Sequence, residues 1–307
     1  MSRAVYKQVL GEHLDRLRRV SERAGVNRIK SLYDEAHAEV LEKVRRQVAR
    51  GQQDSFTAHQ ARMVLGQLQQ GQVALVQGMA DTLADASQQA QVDSLRALSA
   101  NVARLERTFR GSETVLPIEE ASRFWGVIEG RRSSLLRSHE ASLVAYGGDA
   151  VTQMEKRMGL SLAAGESPHE TIDRIQDVTE GNWWKAERIV RTELAHAFNA
   201  THADGLKAVA EDVPDMMMRW SEHVDDLTGE PLDNRVGADS LVMHGQVAPI
   251  GGVFVMPPDD SVSPSLWNKE WEHPPNRPHD RAVLAPWRKG WGIPGWKWEG
   301  GKRVDLD

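Results

Sequence analysis

The spacing of apolar residues predicts long helices over the first third of the chain. Between Val5 and Phe109, apolar positions recur at three- and four-residue intervals on one helical face. The stripes are Leu10, Leu14, Leu17 and Ala24, then Ile29, Leu32, Ala36, Val40, Val44 and Val48, and finally Val92, Leu95, Leu98, Val102, Leu105 and Phe109. We therefore predict a helical arm over residues 1–110.

Helical periodicity continues over residues 111–215, which we predict to form a helical core. In "ESPHETIDRIQDV", Ser167 is suited to cap a helix, with Pro168 in its first turn and Glu170 completing a capping box. The strongest helical pattern follows, in "GNWWKAERIVRTELAHAFNATHADGLKAVA". We name this segment the RTE helix after Arg191, Thr192 and Glu193.

A helical wheel divides the RTE helix into two faces. The predicted apolar face carries Ala186, Ile189, Val190, Leu194, Ala197 and Phe198, and the predicted polar face carries Arg188, Arg191, Thr192, Asn199 and His202. Glu187 and Arg191 are spaced to pair along the helix. Glu193 falls inside the apolar face, where a buried carboxylate needs a cation or a proton.

The character of the chain changes after Pro214. Eleven of the 13 prolines lie beyond Ala200, and nine of the ten tryptophans lie from Trp183 onward. Short strand candidates in "MMMRWSEH", "GQVAPI", "GGVFVM" and "RAVLAPW" are separated by Pro, Gly and Asp clusters. We predict a small, loop-rich antiparallel β region and tail over residues 216–307, and an α+β fold that is predominantly α-helical.

Composition limits the classes of function. The net charge of -6 gives no global argument for nucleic-acid binding, although the segment up to Arg110 carries 17 Lys and Arg against 12 Asp and Glu. The absence of cysteine excludes disulfides and thiolate metal ligands. Charges run throughout "MSRAVYKQVLGEHLDRLRRV", and no run of about 18 apolar residues occurs, so we expect no signal peptide or membrane span.

The stretch "WEHPPNRPHDRAV" is the best candidate for a site. Its prolines exclude a helix or a central strand, and they present Asn276 and Arg277 from a stiff backbone, with Arg281 following. An arginine held in this way can bind a carboxylate through two bonds. We predict a structural clasp of Arg191, Glu193, Asn199, Asn276, Arg277 and Arg281, in which Arg277 or Arg281 binds Glu193.

The order of these motifs resembles the phage head-morphogenesis family, minor capsid proteins similar to the Mu F protein. The matching elements are the RTE helix with its asparagine, a tryptophan strand in "RWSEHVDDLTG", the "HGQ" turn before an apolar strand, and a closing motif, "PPNRPHDRAVL", that contains a "PPN-R" pattern. The resemblance covers residues 159–284. Many relatives carry cysteines after the tryptophan strand and in the closing motif, and this chain carries none.

The resemblance implies a non-enzymatic minor head protein without a cofactor, located inside the capsid at the portal vertex and made in the host cytoplasm. It implies roles in head assembly and in DNA packaging or ejection. The implied partners are the portal protein and the major capsid or scaffold protein. The basic arm is a second candidate surface, for packaged DNA. No membrane or small-molecule substrate is expected.

An enzymatic alternative comes from the histidines of the last third. His223, His244, His273, His279 and Asp280 are residue types that bind transition metals and activate water. They would make the protein a metal-dependent hydrolase or nuclease, or would replace the missing thiols in a structural site. Their spacing matches no recognised ligand motif, so we predict that they cap turns and bond to the backbone.

The tail "PWRKGWGIPGWKWEGGKRVDLD" places four tryptophans among Gly, Pro and Lys. Trp287, Trp291, Trp296 and Trp298 could contact a partner or stack on single-stranded nucleic acid. We predict instead that the tail covers the apolar face of its own β region.

Overall fold

The computed structural model describes residues 2–19, 25–49, 58–111, 122–213, 215–224, 230–232, 236–278 and 280–306. These residues form five long helices, one short helix and seven short strands, which confirms the predicted, predominantly helical α+β class. The helices are α1 (Ser2–Arg19), α2 (Asn27–Ala49), α3 (Ala58–Arg110), α4 (Ser122–Ala164), α5 (Pro168–Asp212) and α6 (Ala238–Met243). None of the described helices is long and apolar enough to cross a membrane.

The strands all follow α5. They are β1 (Met217–Ser221), β2 (Val247–Pro249), β3 (Phe254–Val255), β4 (Glu270–Trp271), β5 (Val283–Trp287), β6 (Gly295–Glu299) and β7 (Lys302–Leu306). β1, β2, β3 and β5 confirm the four predicted strand segments, whereas the β6–β7 hairpin was not predicted. Its two-residue turn is Gly300–Gly301, both at positive φ, a pair suited to a tight hairpin with a right-handed twist.

The chain forms two compact units. Unit 1 contains Met1–Glu22, Ala86–Leu135 and Thr192–Asp307, and unit 2 contains Arg23–Asp85 and Leu136–Arg191. The first and last parts of the predicted arm therefore belong to the same unit as the β region. These units and the three predicted segments divide the chain differently, and the three-segment division stays a prediction.

Unit 2 is helical. Its apolar core draws on all four helical segments, with Leu41, Val44, Val64, Leu68, Met154, Met158, Ile172, Ile175 and Val178 among its buried residues. The predicted capping box opens α5, since the Ser167 backbone N–H donates to Glu170 Oε2 (2.8 Å) and the Glu170 N–H donates to Ser167 Oγ (3.3 Å). The predicted Glu187–Arg191 pair also forms, at 2.8 Å.

Unit 1 combines helices with the β region. The main sheet has the strand order β2–β1–β5, all antiparallel, with Met217 opposite both Pro249 and Trp287. Trp220 and Phe254 pack edge to face in the core, with ring centroids 5.4 Å apart. The predicted stripe of α3 is buried, with Leu95, Leu98, Val102 and Leu105 at most 1% exposed. β5 lies at one side of this sheet, which leaves its outer backbone groups to be satisfied by other elements.

Candidate functional site

The outer side of β5 is covered by side chains instead of a strand. Alternate residues of an antiparallel edge strand direct their backbone groups away from the neighbouring strand. At Ala282, Leu284 and Pro286, which we name the β5 edge, these groups bond to helix side chains. The Asn199 Nδ2 donates to the Ala282 carbonyl (3.0 Å), and the Leu284 N–H donates to Asn199 Oδ1 (2.8 Å).

Helix α1 completes the cover. His13 Nε2 lies 3.1 Å from the Leu284 carbonyl, and the Tyr6 hydroxyl donates to the Pro286 carbonyl at 2.9 Å. A carbonyl only accepts, so His13 Nε2 carries the proton of that ring. Pro286 has no N–H that would need a partner. The β5 edge is thereby closed to further strand pairing, which exposed strand edges otherwise invite.

A second layer lies behind His13. The rings of His13 and His202 have centroids 4.5 Å apart, and Phe198 packs against both. The Ser94 hydroxyl donates to the Phe198 carbonyl (2.8 Å) and lies 3.3 Å from His202 Nδ1. Because that hydroxyl has only one proton, it accepts from His202 Nδ1. Burial lowers the pKa of His13 to about 4 and holds that of His202 well below its usual range.

This arrangement corrects the predicted polar face of the RTE helix. Asn199 and His202 are both fully buried. A wheel assumes that one face of a helix meets water, but this part of α5 is covered on more than one side. Asn199 is buried where the backbone of β5 needs hydrogen-bonding partners, and His202 is buried against the ring of His13. Arg188 is exposed and Arg191 is half-buried, as predicted for that face.

Arg277 of the predicted clasp binds an acid other than Glu193. Glu193 is buried, as predicted, at 8% exposure. Arg277 pairs with Asp239, with 2.9 Å between Nε and Oδ2, and its NH2 group donates to Ser240 Oγ (3.2 Å). The acid that Arg277 binds in this way was not predicted. The pairing of Glu193 with Arg281 stays a prediction.

The closing motif also contacts the RTE helix through Asn199, and His273, directly before the motif, packs against His196 of the helix. The rings of His196 and His273 have centroids 5.0 Å apart, and His273 is buried. Burial lowers the pKa of His273 to about 4, so the ring is neutral and packs as an uncharged group. The contacts between this part of the chain and the helix therefore include an amide and aromatic packing.

Asp280 shapes the closing motif from within. Its two oxygens accept the backbone N–H groups of Asn276 (3.1 Å) and Ala282 (3.0 Å). Glu222, directly after β1, accepts the indole N–H of Trp220 at 3.0 Å. Both carboxyls are buried, and burial raises the pKa of each, with the charge of Asp280 adding to the effect on Glu222.

The "HGQ" turn is fixed by its own side chains. Gln246 bonds both backbone groups of Val255, donating to its carbonyl (2.8 Å) and accepting from its N–H (2.7 Å). His244 Nδ1 accepts the Glu222 N–H at 3.1 Å. Trp220 meets the same turn through its backbone, which donates to Gln246 (2.8 Å) and accepts from Gly245 (2.9 Å). These bonds join the tryptophan strand to the turn and the turn to β3.

The candidate metal ligands are not gathered in the described residues. No group of three or more His, Asp or Glu among them is arranged to hold a metal ion. His244 and His273 bond to the backbone, as predicted, since His273 Nδ1 lies 2.6 Å from the Pro274 carbonyl. Asp280 is occupied by two backbone N–H groups, and His223 is half-buried. His279 lies outside the described residues.

The tryptophans of the tail pack on their own unit: Trp296 meets the β region, as predicted, whereas the Trp291 ring lies near Tyr6 of α1 and Phe109 of α3. Trp287, Trp291 and Trp296 are each at most 3% exposed, and Trp298 is half-buried. The Trp287 indole donates to the Ile293 carbonyl (3.0 Å), and the Trp296 indole donates to the His244 carbonyl (2.9 Å). The second bond ties the tail hairpin to the "HGQ" turn.

Sequence reasoning missed two features of the site. One is the buried ion pair of Glu106 on α3 with Arg288 directly after β5, at 3.0 Å and with both side chains at most 6% exposed. The other is the bonding of Tyr6 and His13 on α1 to the backbone carbonyls of β5. Both lie on the buried face of α1, seven positions apart, and this spacing was the signal that could have identified them.

A scan of protein-family models and searches of curated proteins and solved structures gave no match to the chain.

Proposed function

We propose that this chain is a minor head protein of a tailed phage or prophage, acting without catalysis as an assembly and connector protein. It would reside in the capsid interior at the portal vertex. The observation that carries the proposal is the meeting of the four resembling motifs. These motifs, up to about eighty residues apart in the sequence, are joined to one another by hydrogen bonds.

The bonds of this unit support a structural role. Asn199 joins the RTE helix to the closing motif, Trp220 joins its strand to the "HGQ" turn, and Gln246 joins that turn to β3. In each case the motif residue bonds backbone atoms of another motif. Residues selected to bind backbone define a shape, whereas a catalytic set directs its polar groups at a substrate.

The partner surface we propose lies on unit 2. Large apolar side chains are exposed on its helices, including Val73 at 71%, Val144 at 60% and Trp184 at 70%. Exposed tryptophan is enriched among residues that dominate the energy of protein interfaces. We assign this surface to the portal protein, with the major capsid or scaffold protein as a further partner. The basic residues of the first 110 positions are assigned to packaged DNA.

Co-purification with the portal protein of the same phage tests the proposal. Trimming the first 110 residues would remove α1 and Glu106 from unit 1, so point variants of the full chain are the better probe. Val73→Asp and Trp184→Ser should each reduce portal binding at least about tenfold, the loss expected when an interface hot spot is removed. Gln70→Asp places the same charge at an exposed position of α3 and should leave binding unchanged.

The contrary outcomes are specific. A full-length chain that does not bind the portal would overturn the connector role. Binding that survives both apolar substitutions would move the contact away from unit 2. Stoichiometric zinc or manganese in the purified protein, with a hydrolytic activity lost in His244→Ala, would favour the metal-dependent hydrolase or nuclease.

A further inference from the structure

His13 and His202 of unit 1 are buried in an arrangement that does not stabilise a second proton on either ring. His13 uses its Nε2 proton on the Leu284 carbonyl, and His202 uses its Nδ1 proton on Ser94. The other ring nitrogens, His13 Nδ1 and His202 Nε2, are buried and have no hydrogen-bond partner among the described residues. A second proton on either ring would therefore be a buried, unpaired N–H on a cation.

The groups around the pair oppose such protons. His13 lowers the pKa of His202, and Arg16 on α1 lowers that of His13. α3 contributes the neutral Ser94, and β5 contributes the Leu284 carbonyl, which His13 already uses. Acid therefore adds charges that the closed arrangement cannot stabilise, and the two rings, 4.5 Å apart, also repel each other when both are charged.

Among the elements that cover the two histidines, α1 is the one whose detachment from unit 1 would break the fewest contacts. It has 18 residues, and its contacts include one apolar face, the bonds of Tyr6 and His13 to β5, and the bond of Gln8 with Arg104 of α3 (2.7 Å). Its outer contact, Glu12 with Arg104, is half-exposed, and such pairs contribute only about 0–1 kcal/mol. A small crevice reaches His13 between α1, α3 and β5.

We propose that α1 is an acid-released cover of the β5 edge. When His13 and His202 take up protons, α1 detaches, both rings become hydrated, and the carbonyls of Leu284 and Pro286 lose their side-chain partners. Asn199 stays on β5, so the sheet and the remaining helices of unit 1 keep their structure. The proposal is independent of the proposed head-protein function.

Thiol labelling can test this directly because the chain has no cysteine. Val9→Cys places a thiol on the buried face of α1, and Gly11→Cys places one on its exposed face. Val247→Cys lies in β2, the strand of the sheet furthest from β5. Dithiodipyridine, which reacts with thiols in acid, is applied at about pH 7 and about pH 5.

The expected result is a selective increase at position 9. With a pKa of 6.5 for the released His13 and about 4 for the buried one, protonation of His13 alone raises the released fraction about 20-fold between these pH values, and protonation of His202 adds to this rise. The labelling rate of Val9→Cys, divided by that of Gly11→Cys, should rise accordingly, while Val247→Cys stays protected. In His13→Gln, whose amide still donates to Leu284 but does not titrate, the contribution of His13 is lost, so the rise should be about 20-fold smaller than in the chain that keeps His13.

Three results would overturn the proposal. The first is a labelling-rate ratio for Val9→Cys that does not change with pH. The second is an equal rise in the labelling rate of Val247→Cys, which would indicate unfolding of the whole unit. The third is a rise in His13→Gln as large as in the chain that keeps His13. Should His13→Gln not fold, hydrogen exchange of the unmodified chain decides the matter. Amides of α1 must lose protection in acid, after correction for intrinsic rates, while those of α5 keep it.

Discussion

Asn199 accepts the backbone N–H of Leu284 at 2.8 Å, from a helix position that the apolar pattern assigns to water. The same side chain donates to Ala282, so a single amide takes the place of a neighbouring strand. This contact positions β5 against α5, and the sheet of unit 1 depends on it.

Removing the Asn199 amide should destabilise unit 1. Asn199→Ala leaves one buried N–H and one buried carbonyl unpaired, which costs about 2–4 kcal/mol of the free energy of unfolding. Asn199→Leu keeps the volume and should lose a similar amount, which separates the hydrogen bonds from packing. Urea unfolding followed by tryptophan fluorescence measures both, with the exposed Gln88→Ala as the control. A stable Asn199→Leu variant would contradict the interpretation.

The Glu106–Arg288 pair should show strong coupling. Glu106→Ala leaves the buried Arg288 guanidinium without its 3.0 Å partner and should cost about 3–5 kcal/mol. Replacing both residues, as Glu106→Leu with Arg288→Met, removes both charges and should return stability to within about 1 kcal/mol of the original chain. A double-mutant cycle of urea unfolding gives the interaction free energy between Glu106 and Arg288. Losses of stability that add in the double variant would contradict the predicted coupling.

Two glycines of α5 should respond in opposite ways to alanine. A Cβ at Gly205 would lie 2.7 Å from Leu95 Cδ2 and 2.7 Å from Leu98 Cδ2, and this overpacking costs about 1–3 kcal/mol. The gain in helix propensity, about 1 kcal/mol, does not offset it. Gly181 has open space around the same position, so Gly181→Ala should raise stability by up to about 1 kcal/mol. Thermal unfolding of the two variants, which should shift in opposite directions, checks the packing of α3 on α5.

The buried carboxyls should make unit 1 less stable as pH rises. Burial raises the pKa of Glu222 and Asp280 above their unfolded values. Their protonated forms are therefore favoured in the folded state, and the stability they contribute at low pH is lost as pH rises through the raised pKa values. Glu222→Gln should flatten this dependence, because its amide oxygen still accepts from Trp220.

Urea unfolding at several pH values from about 4 upward measures this effect, and the difference between the original chain and Glu222→Gln separates it from the histidines, which both chains carry. His13 and His202 act in the opposite sense, since their lowered pKa values remove stability only as pH falls below about 6.5. The exposed Asp260→Asn serves as the control and should follow the original chain. A steeper decline in Glu222→Gln than in the original chain would contradict the assignment.

The sequence was sufficient for features that depend on local periodicity. The stripe of α3 from Leu95 to Leu105 and the Ser167–Glu170 capping box could be predicted because each is determined by residues within a turn or two. Glu193 was correctly predicted to be buried for the same reason. In these cases one helix face and its caps contain all the necessary information.

Features that depend on distant partners could not be predicted. Asn199 and His202 look like surface residues on a wheel, and only the approach of β5 and α1 makes them buried. Asp239 has no local feature that distinguishes it from the other acids as the partner of Arg277. The β6–β7 hairpin was missed although "EGGK" favours a tight turn, because tryptophan and lysine alternate there without an apolar face that contrasts with a polar one.

The bond between Tyr6 and Pro286 joins positions 280 residues apart, and that between His13 and Leu284 joins positions 271 apart. Contacts of such separation are formed slowly, because the intervening chain must be ordered or closed as a loop first. During synthesis, α1 leaves the ribosome long before the strand it covers exists. Its apolar face must remain without that partner while more than 260 further residues are made, and exposed apolar surface of this kind makes folding intermediates prone to aggregate.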